Sequence, residues 1–348
     1  MKDSTTYSPL KQLVLARLRE FVRQPEAVFW VYGFPIIMVV ALGIAFRGEA
    51  VDEKIRVDVQ QGASAEVVST LRGSEKFTVE VHDRETTRNR LRTGKTDLIV
   101  EVKDGEHRYH FDPTKPGSRI ARDTVDTVLQ RAAGREDKVQ TKNVVQSEPG
   151  GRYIDFLVPG LLGMGLLGGG LWGVGFVTVD MRIRHLLKRF LATPMKRTHF
   201  LASLMISRML FMIPEVVLLV LFSGFVFGVE IQGSIISVIV LILLGAVMFS
   251  GLGLLIACRA QTLEAVSGLM NLVMLPMWVM SGIFFSSERF PDAIQPFIKI
   301  LPLTALIDSL RAVMLEGASL FSVGSELTIM VIWSVATFLL ALKWFRWN

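Results

Sequence analysis

Six apolar stretches along the chain are each long enough to cross a membrane. Their approximate bounds are 27–46, 153–179, 200–228, 233–257, 263–285 and 322–342. An α-helix rises about 1.5 Å per residue, so about 20 apolar residues cover the ~30 Å hydrocarbon layer of a bilayer. The pattern predicts a polytopic α-helical membrane protein with six transmembrane helices.

A polar insert, residues 47–150, separates the first stretch from the second. Four of its segments alternate apolar and polar residues, which predicts strands: 55–59, 77–81, 98–102 and 109–111. Three segments have helical spacing: 63–72, 86–93 and 118–134. In the last of these, the residues predicted to face inward are Ile120, Val125, Val128 and Leu129. The insert is therefore predicted to be a small α/β domain of order β-α-β-α-β-β-α.

A short amphipathic segment precedes the first stretch. Ser8 is a suitable N-cap, Pro9 suits the first helical position, and Gln24-Pro25 breaks the run before the apolar residues begin. Residues 1–26 are thus predicted to hold a cytoplasmic helix that lies in the membrane interface. The alternative is that this segment simply begins the first transmembrane helix.

Basic residues are concentrated on one side of the predicted membrane topology. They are Lys2, Lys11, Arg17, Arg19, Arg23, Arg182, Arg184, Lys188, Arg189, Lys196, Arg197, Arg259, Lys343 and Arg346. By the positive-inside rule, both termini are cytoplasmic and the insert is extracytoplasmic. The net charge of +6 is explained by this clustering, so it does not indicate nucleic-acid binding.

The second stretch is dense in glycine, with Gly165, Gly169 and Gly173 spaced four apart. Small residues at that spacing allow close helix packing in lipid. The face either packs within one subunit or lines a transport path, and both readings stay open.

Glu215 lies near the middle of the third stretch, after Pro214. A charge there costs about 2.5–3.5 kcal/mol on insertion scales, so the carboxyl is predicted to face protein or water. It either makes a structural hydrogen bond or handles a proton or a cationic substrate. Residues 286–316 contain three prolines and are predicted to form a re-entrant or amphipathic hairpin at the outer surface.

Several segments together resemble the permeases of ABC-2 type exporters. They are Tyr153 to Gly160, Leu187 to Thr198, Ser281 to Phe285, Phe290-Pro291, Leu301 to Thr304, and Asp308 with Arg311. Their order and spacing match as well, and together they cover most of the chain outside the insert. A large extracytoplasmic insert after the first span resembles the six-span branch of that family.

The resemblance implies a coupling helix at residues 181–192 that docks on a separate ATP-binding subunit. The residues expected there are Arg182, Arg184, Leu186, Leu187, Lys188, Arg189, Phe190 and Leu191. The Gly-Thr pair that the family usually has just before this helix is absent, because residues 180–185 read Asp-Met-Arg-Ile-Arg-His. Residues 151–348 then form a five-helix transmembrane domain, in which the glycine face and Asn271, Met274 and Met277 are expected to line the path.

The resemblance also implies partners: an ATP-binding cassette subunit, a second permease subunit (identical or related), membrane lipids and, as a further candidate, a periplasmic adaptor. ATP and Mg²⁺ belong to the partner, since Gly94-Lys95 with Asn89 fails the phosphate-loop spacing. We expect no cofactor on this chain. We also expect no metal, since His82, His107 and His110 lack ligand neighbours at useful spacing.

The function that the resemblance implies is export of a substrate by a non-enzymatic transport subunit in a bacterial inner membrane. The sequence leaves the substrate class open among drugs, lipids, peptides, glycans and ions. One alternative is a membrane-anchored receptor or assembly protein whose α/β domain binds a ligand or a periplasmic partner. A second is an intramembrane enzyme, which needs paired polar groups at one depth, whereas Glu215 stands nearly alone in the sequence.

Overall fold

The computed structural model describes residues 9–45, 54–103, 106–136, 139, 151–186 and 197–344. The chain divides into two compact units, one of Met1–Arg47 with Ser147–Asn348 and one of Gly48–Gln146. We call the first the membrane unit, because it holds all the apolar stretches, and the second the inserted unit.

Among the described residues, six helices are long and apolar enough to cross a membrane, as predicted. These first to sixth spans are Pro25–Ala45, Tyr153–Ile183, Ala202–Phe227, Ile235–Ala257, Leu263–Met280 and Gly324–Trp344. The helix that contains the third span begins at Arg197. Consecutive spans run in opposite directions, so the bundle has a Tyr153 end, where the second span begins, and an Ile183 end, where it finishes.

The second and fourth spans form the centre of the membrane unit. Leu167 and Leu171 of the second span and Phe249 of the fourth have no exposed surface. The other four spans bury one face and expose large apolar side chains on the other, such as Phe225 and Ile332. An apolar surface of this extent is what a bilayer requires of helices that face lipid.

The N-terminal amphipathic segment is a separate helix, α1 (Pro9–Val22), and the first span begins after it at Pro25. Phe21 of α1 stacks on Phe211 of the third span with ring centroids 4.2 Å apart. The Tyr32 hydroxyl of the first span donates a hydrogen bond of 3.1 Å to the Phe211 carbonyl. Helix α1 therefore packs on the bundle as well as preceding the first span.

The inserted unit is a small α/β fold with the predicted element order. Its strands are β1 (Ile55–Gln60), β2 (Phe77–His82), β3 (Leu98–Lys103) and β4 (Glu106–His110). Its helices are α2 (Ala65–Arg72), α3 (Arg84–Arg92) and α4 (Pro116–Ala132). The sheet order is β2-β1-β3-β4; β1 is parallel to β2 and β3, and β4 is antiparallel to β3.

One face of this sheet and the helices on it form the core of the inserted unit, with Val57, Leu98 and Val125 fully buried. The inward direction predicted for Ile120 is wrong, since that side chain is 61% exposed. Ala121 lies four residues before Val125 and is buried instead, because residues one turn apart share a helix face and Ile120 is displaced by about 100°.

The fifth span ends at Met280, five residues before the predicted bound of 285. Gly282 has a φ of +79°, in the left-handed region that glycine adopts readily. The Arg311 guanidinium donates to the Gly282 carbonyl and, at 3.2 Å, to the Phe156 carbonyl. The apolar segment Ser281–Phe285 therefore turns back over the start of the second span, where the Tyr153 hydroxyl donates to the Phe284 carbonyl at 2.9 Å.

Two helices follow this turn, α5 (Gln295–Lys299) and α6 (Pro302–Glu316). Most of α6 is buried, including Leu303, Ile307 and Leu310, and it packs among the second, fourth and sixth spans. The segment 286–316 is thus enclosed by the bundle along α6. Its position at the outer membrane surface stays a prediction.

Candidate functional site

A buried pair of opposite charges lies inside the membrane unit. Arg208 and Glu215 are on the third span, seven residues and therefore two turns apart on one face, and are 4% and 8% exposed. The Arg208 Nη2 atom donates to Glu215 Oε2 at 3.1 Å and to the carbonyl oxygen of Gly165 at 3.1 Å. The carboxyl of Glu215 is thus partnered inside the protein, as its position requires.

Glycines of the second span make the space for this pair. A Cβ atom at Gly165 would collide with Glu215 Oε1, and one at Gly169 would fall within the Arg208 guanidinium. One at Gly173 would lie 3.5 Å from Arg208 Cδ. The three glycines predicted to form one face therefore pack against the charged face of the third span.

These three glycines are only half-buried, as is the neighbouring Gly168. Their packing role is visible in the contacts with Arg208 and Glu215. Their role in lining a transport path stays a prediction.

Other glycines of the second span meet the fourth span. A Cβ atom at Gly170 would come within 2.5 Å of the Phe249 backbone, and one at Gly175 within 2.5 Å of the Gly253 carbonyl oxygen. Directly after Gly170 the helix widens into a π-helical segment, Leu171–Phe176, which contains Gly175; such segments are frequent at functional sites. The backbone of the second span therefore packs against the backbone of the fourth span and against the charged side chains of the third span.

The three residues predicted to line the path on the fifth span differ in exposure. Met274 and Met277 are buried in the core of the membrane unit at 6% and 7% exposure, together with Met270. Asn271 is exposed and lies about 60° from Met274 around the helix, at the edge of the buried face. Any path along this span involves either the exposed Asn271 side or a rearrangement that uncovers the methionines.

The predicted coupling helix is not one continuous helix from residue 181. The second span ends at Ile183, Arg184 and His185 form a turn, and His185 has a φ of +57°. Arg184 is exposed and pairs with Asp180 at 2.9 Å. Leu186 is half-buried against a cluster of Met181, Phe200 and Leu204.

Arg182 turns inward, away from the surface on which it was predicted to dock. Its Nη1 atom donates to the carbonyl oxygens of Ala257 and Ala260, at 2.9 and 3.1 Å. The remaining predicted docking residues, Leu187, Lys188, Arg189, Phe190 and Leu191, lie outside the described residues.

Sequence reasoning missed Arg208, and Glu215 is not alone as the sequence suggested. The available signal was a basic residue inside the apolar run 200–228, seven positions before the acid. An unpaired charge at that depth is costly, so two opposite charges on one face of a span should be considered together.

In the inserted unit, the prediction that His82 lacks neighbours able to bind a metal is wrong, because Glu80 lies two residues away on the same strand and Asp58 lies on the neighbouring strand. Ligand atoms of Asp58, Glu80 and His82 lie within 4.8 Å of one another. Arg90 already donates to Asp58 at 2.8 Å and pairs with Glu80 at 3.0 Å. The hydrogen bonds from His82 and Arg90 and the charge of Arg90 lower the pKa of Glu80. Arg90 therefore already partners two of the three candidate ligands.

The chain is similar to known proteins along most of its length. The sequence model of one family, described as "ABC-2 family transporter protein", matches residues 26–343. The "Probable multidrug ABC transporter permease YbhS" of Escherichia coli (strain K12) is 19% identical over 334 residues, which cover 88% of this chain and 89% of that protein.

Two further relatives match over shorter lengths. "Nodulation protein J" of Rhizobium meliloti is 31% identical over 108 residues, which cover 31% of this chain and 41% of that protein. "ABC transporter G family member 20" of Dictyostelium discoideum is 23% identical over 176 residues, which cover 51% of this chain and 24% of that protein. With the family match spanning all six apolar helices, the chain belongs to the ABC-2 family of transporter proteins.

Proposed function

We propose that this protein is the membrane-spanning permease subunit of an ATP-binding cassette exporter. It moves a substrate outward, powered by a separate subunit that binds ATP and Mg²⁺. Two permease subunits, identical or related, form the path. The observation that carries the proposal is the family match over residues 26–343, which takes in every span.

The proposed orientation places the Ile183 end in the cytoplasm and the inserted unit outside. The basic residues Arg182, Arg184, Arg259 and Lys343 all lie at the Ile183 end, and the positive-inside rule assigns that end to the cytoplasm. The ATP-binding subunit would then dock on residues 186–192, and an adaptor protein, if one is used, on the inserted unit.

The substrate class follows only by analogy with the relatives. The relative that matches along most of the chain is named as a probable multidrug permease, which favours an organic substrate. The alternative of an anchored receptor is not favoured. Helices that only anchor a protein do not require closely packed glycines or a buried charge pair, and both are present here.

Co-purification with a matched pair of substitutions tests the proposal. A tagged chain is purified from its native membranes, and the captured partner is identified by mass spectrometry and assayed for ATP hydrolysis. We expect an ATP-binding cassette subunit to accompany the wild-type chain. Leu187→Asp places a charge in the proposed docking segment and should remove that subunit while the permease still inserts.

Phe321→Asp is the matched control. Phe321 is 98% exposed, at the Tyr153 end just before the sixth span, so the same chemical change should leave the partner bound. A wild-type chain that captures no ATP-hydrolysing subunit would contradict the proposed function. A Leu187→Asp chain that keeps it would contradict only the docking site.

A further inference from the structure

The last turn of the second span is fastened to the connection between the fourth and fifth spans. Ala257 is the final residue of the fourth-span helix, and Thr262 is the N-cap of the fifth-span helix, where its hydroxyl accepts from the Ala265 amide at 3.1 Å. The two carbonyls that accept from Arg182, those of Ala257 and Ala260, belong to residues that are 0% and 2% exposed. One guanidinium therefore reaches both sides of the turn that joins these spans.

This contact has the character of a firm link. A helix C-terminus presents unpaired carbonyls and a partial negative charge, which a cation stabilises. Hydrogen bonds from a charged donor are roughly twice as strong as those between neutral groups. The Arg259 guanidinium, in the same connection, stacks on Trp344 of the sixth span with its Cζ atom 5.5 Å from the ring centroid, so Arg182 alone of these two cations binds those carbonyls.

The other side of the last turn of the second span packs on the third span. Met181 is 7% exposed and contacts the cluster of Phe200 and Leu204 at the start of the third-span helix. Residues 181–186 thus lie between the third span and the fourth–fifth connection, and they lead directly into the proposed docking segment. Arg182 is four residues, about one helical turn, before Leu186, where that segment begins.

We propose that Arg182 is a positioning residue that transmits movement of the docking segment to the start of the fifth span. The inference rests on the proposed function. In this assignment Arg182 does not touch the ATP-binding subunit. It couples the end of the second span to residues 257–262, and so moves the fifth span when the ATP-binding subunits close.

A fluorescent label beside the link measures this transmission. In a Cys258→Ala background, Gln261→Cys is labelled with bimane, because Gln261 is exposed in the connection and Cys258 is the only cysteine of the chain. The purified complex with its ATP-binding subunit is trapped with ATP and vanadate. We expect a change in bimane fluorescence in the otherwise unaltered complex.

Three substitutions at the two cations decide the role. Arg182→Ala should keep the ATP-binding subunit and lose the fluorescence change. Arg182→Lys, which keeps a charged donor without the planar fork, should restore part of the amplitude. Arg259→Ala, which removes a cation from the same connection without touching the two carbonyls, should leave the amplitude unchanged.

Each other result contradicts the inference. A full fluorescence change in Arg182→Ala, or loss of the ATP-binding subunit from an inserted Arg182→Ala chain, would show that Arg182 does not transmit or belongs to the docking surface. An unaltered complex whose label does not respond would show that the connection does not move. If Arg182→Ala fails to accumulate, Arg182→Lys decides: reduced amplitude with the partner bound supports the link, and full amplitude overturns it.

Different results would overturn the proposed function and the proposed role of Arg182. A wild-type chain that captures no ATP-hydrolysing subunit overturns that function and removes the basis of the link. A normal complex with an unresponsive label overturns the link alone.

Discussion

At the scale of single residues, the membrane unit is organised around a charge pair in apolar surroundings. Removing two ions from water is costly, and the cost is recovered only when geometry and further hydrogen bonds are favourable. Arg208 meets this condition by donating to both Glu215 and the Gly165 carbonyl. The absence of side chains at Gly165 and Gly169 makes that geometry possible.

Glu215→Leu should destabilise the protein strongly, because it leaves the Arg208 charge buried without its partner. Breaking a buried pair in this way costs about 3–5 kcal/mol. The double variant Arg208→Leu with Glu215→Leu should recover much of the loss, since no uncompensated charge remains. Thermal unfolding in detergent measures both, and a Glu215→Leu protein as stable as wild type would refute the pairing.

Glu215→Gln separates a structural role from a transport role. The Gln side chain still accepts a hydrogen bond from Arg208 but carries no charge. We expect a protein less stable than wild type but more stable than Glu215→Leu, because the Arg208 charge loses its counter-charge but keeps a hydrogen-bond acceptor. Transport by the complex that assembles should stay near normal, because the structure gives Glu215 an internal partner. Loss of transport in a stable Glu215→Gln complex with intact ATP hydrolysis would instead assign Glu215 to a proton or a cationic substrate.

Gly169→Leu and Gly168→Leu form a matched pair on the second span. A side chain at Gly169 collides with the Arg208 guanidinium, whereas a Cβ atom at Gly168 meets nothing within 4 Å. Overpacking of a close-packed interior typically costs about 1–3 kcal/mol. Gly169→Leu should therefore lower the unfolding temperature and the transport rate well below those of Gly168→Leu. Equal effects would mean that the face does not pack as described.

At the scale of elements, the second span ends in a left-handed backbone conformation at His185, in a segment where the family pattern has a glycine. His185 is the one non-glycine residue with a positive φ in the part of the chain that the structure describes. It lies in the segment where the family usually has a Gly-Thr pair. The left-handed conformation costs a non-glycine residue about 1–2 kcal/mol, and glycine adopts it without that cost.

His185→Gly should therefore raise the stability of the protein by up to about 1 kcal/mol, after the greater unfolded-state entropy of glycine is counted. His185→Ala retains the strained backbone and should give no gain. The difference in unfolding temperature between the two variants checks this, since the His185 side chain is exposed and its removal is common to both. Equal stability of the two would argue against strain at this turn.

The spans were predictable from sequence because an apolar run of about 20 residues is typical of a transmembrane helix and rare in other structures. The end of the fifth span was not, since Ser281–Phe285 is as apolar as a span and leaves the helix only because Gly282 and Arg311 turn it. Arg208 was missed because averaged hydropathy hides one charge among many apolar residues. The inward direction of Arg182 depends on the carbonyls of Ala257 and Ala260, so it could not be predicted from the local sequence of the second span.

At the scale of the whole molecule, the distribution of basic residues predicts which side of the membrane each part faces: the inserted unit outside, and the Ile183 end of the membrane unit in the cytoplasm. Glu75→Cys and Gln261→Cys place single exposed cysteines in the inserted unit and at the Ile183 end, in a Cys258→Ala background. A membrane-impermeant maleimide should label Glu75→Cys in intact cells, and Gln261→Cys only after permeabilisation. The reverse result would invert the topology and refute the proposed direction of transport.

The placement of both charges on the third span also bears on how the chain is made. A helix that presents a lone arginine or glutamate to the insertion machinery meets a cost of about 2.5–3.5 kcal/mol at the bilayer centre. Here the two groups lie two turns apart on one face, so each supplies the opposite charge to the other within a single helix. The second span is synthesised first and brings the carbonyl of Gly165 and a groove free of side chains. Substitution of one charge should thus reduce the amount of protein that integrates during synthesis, before folding stability is tested at all.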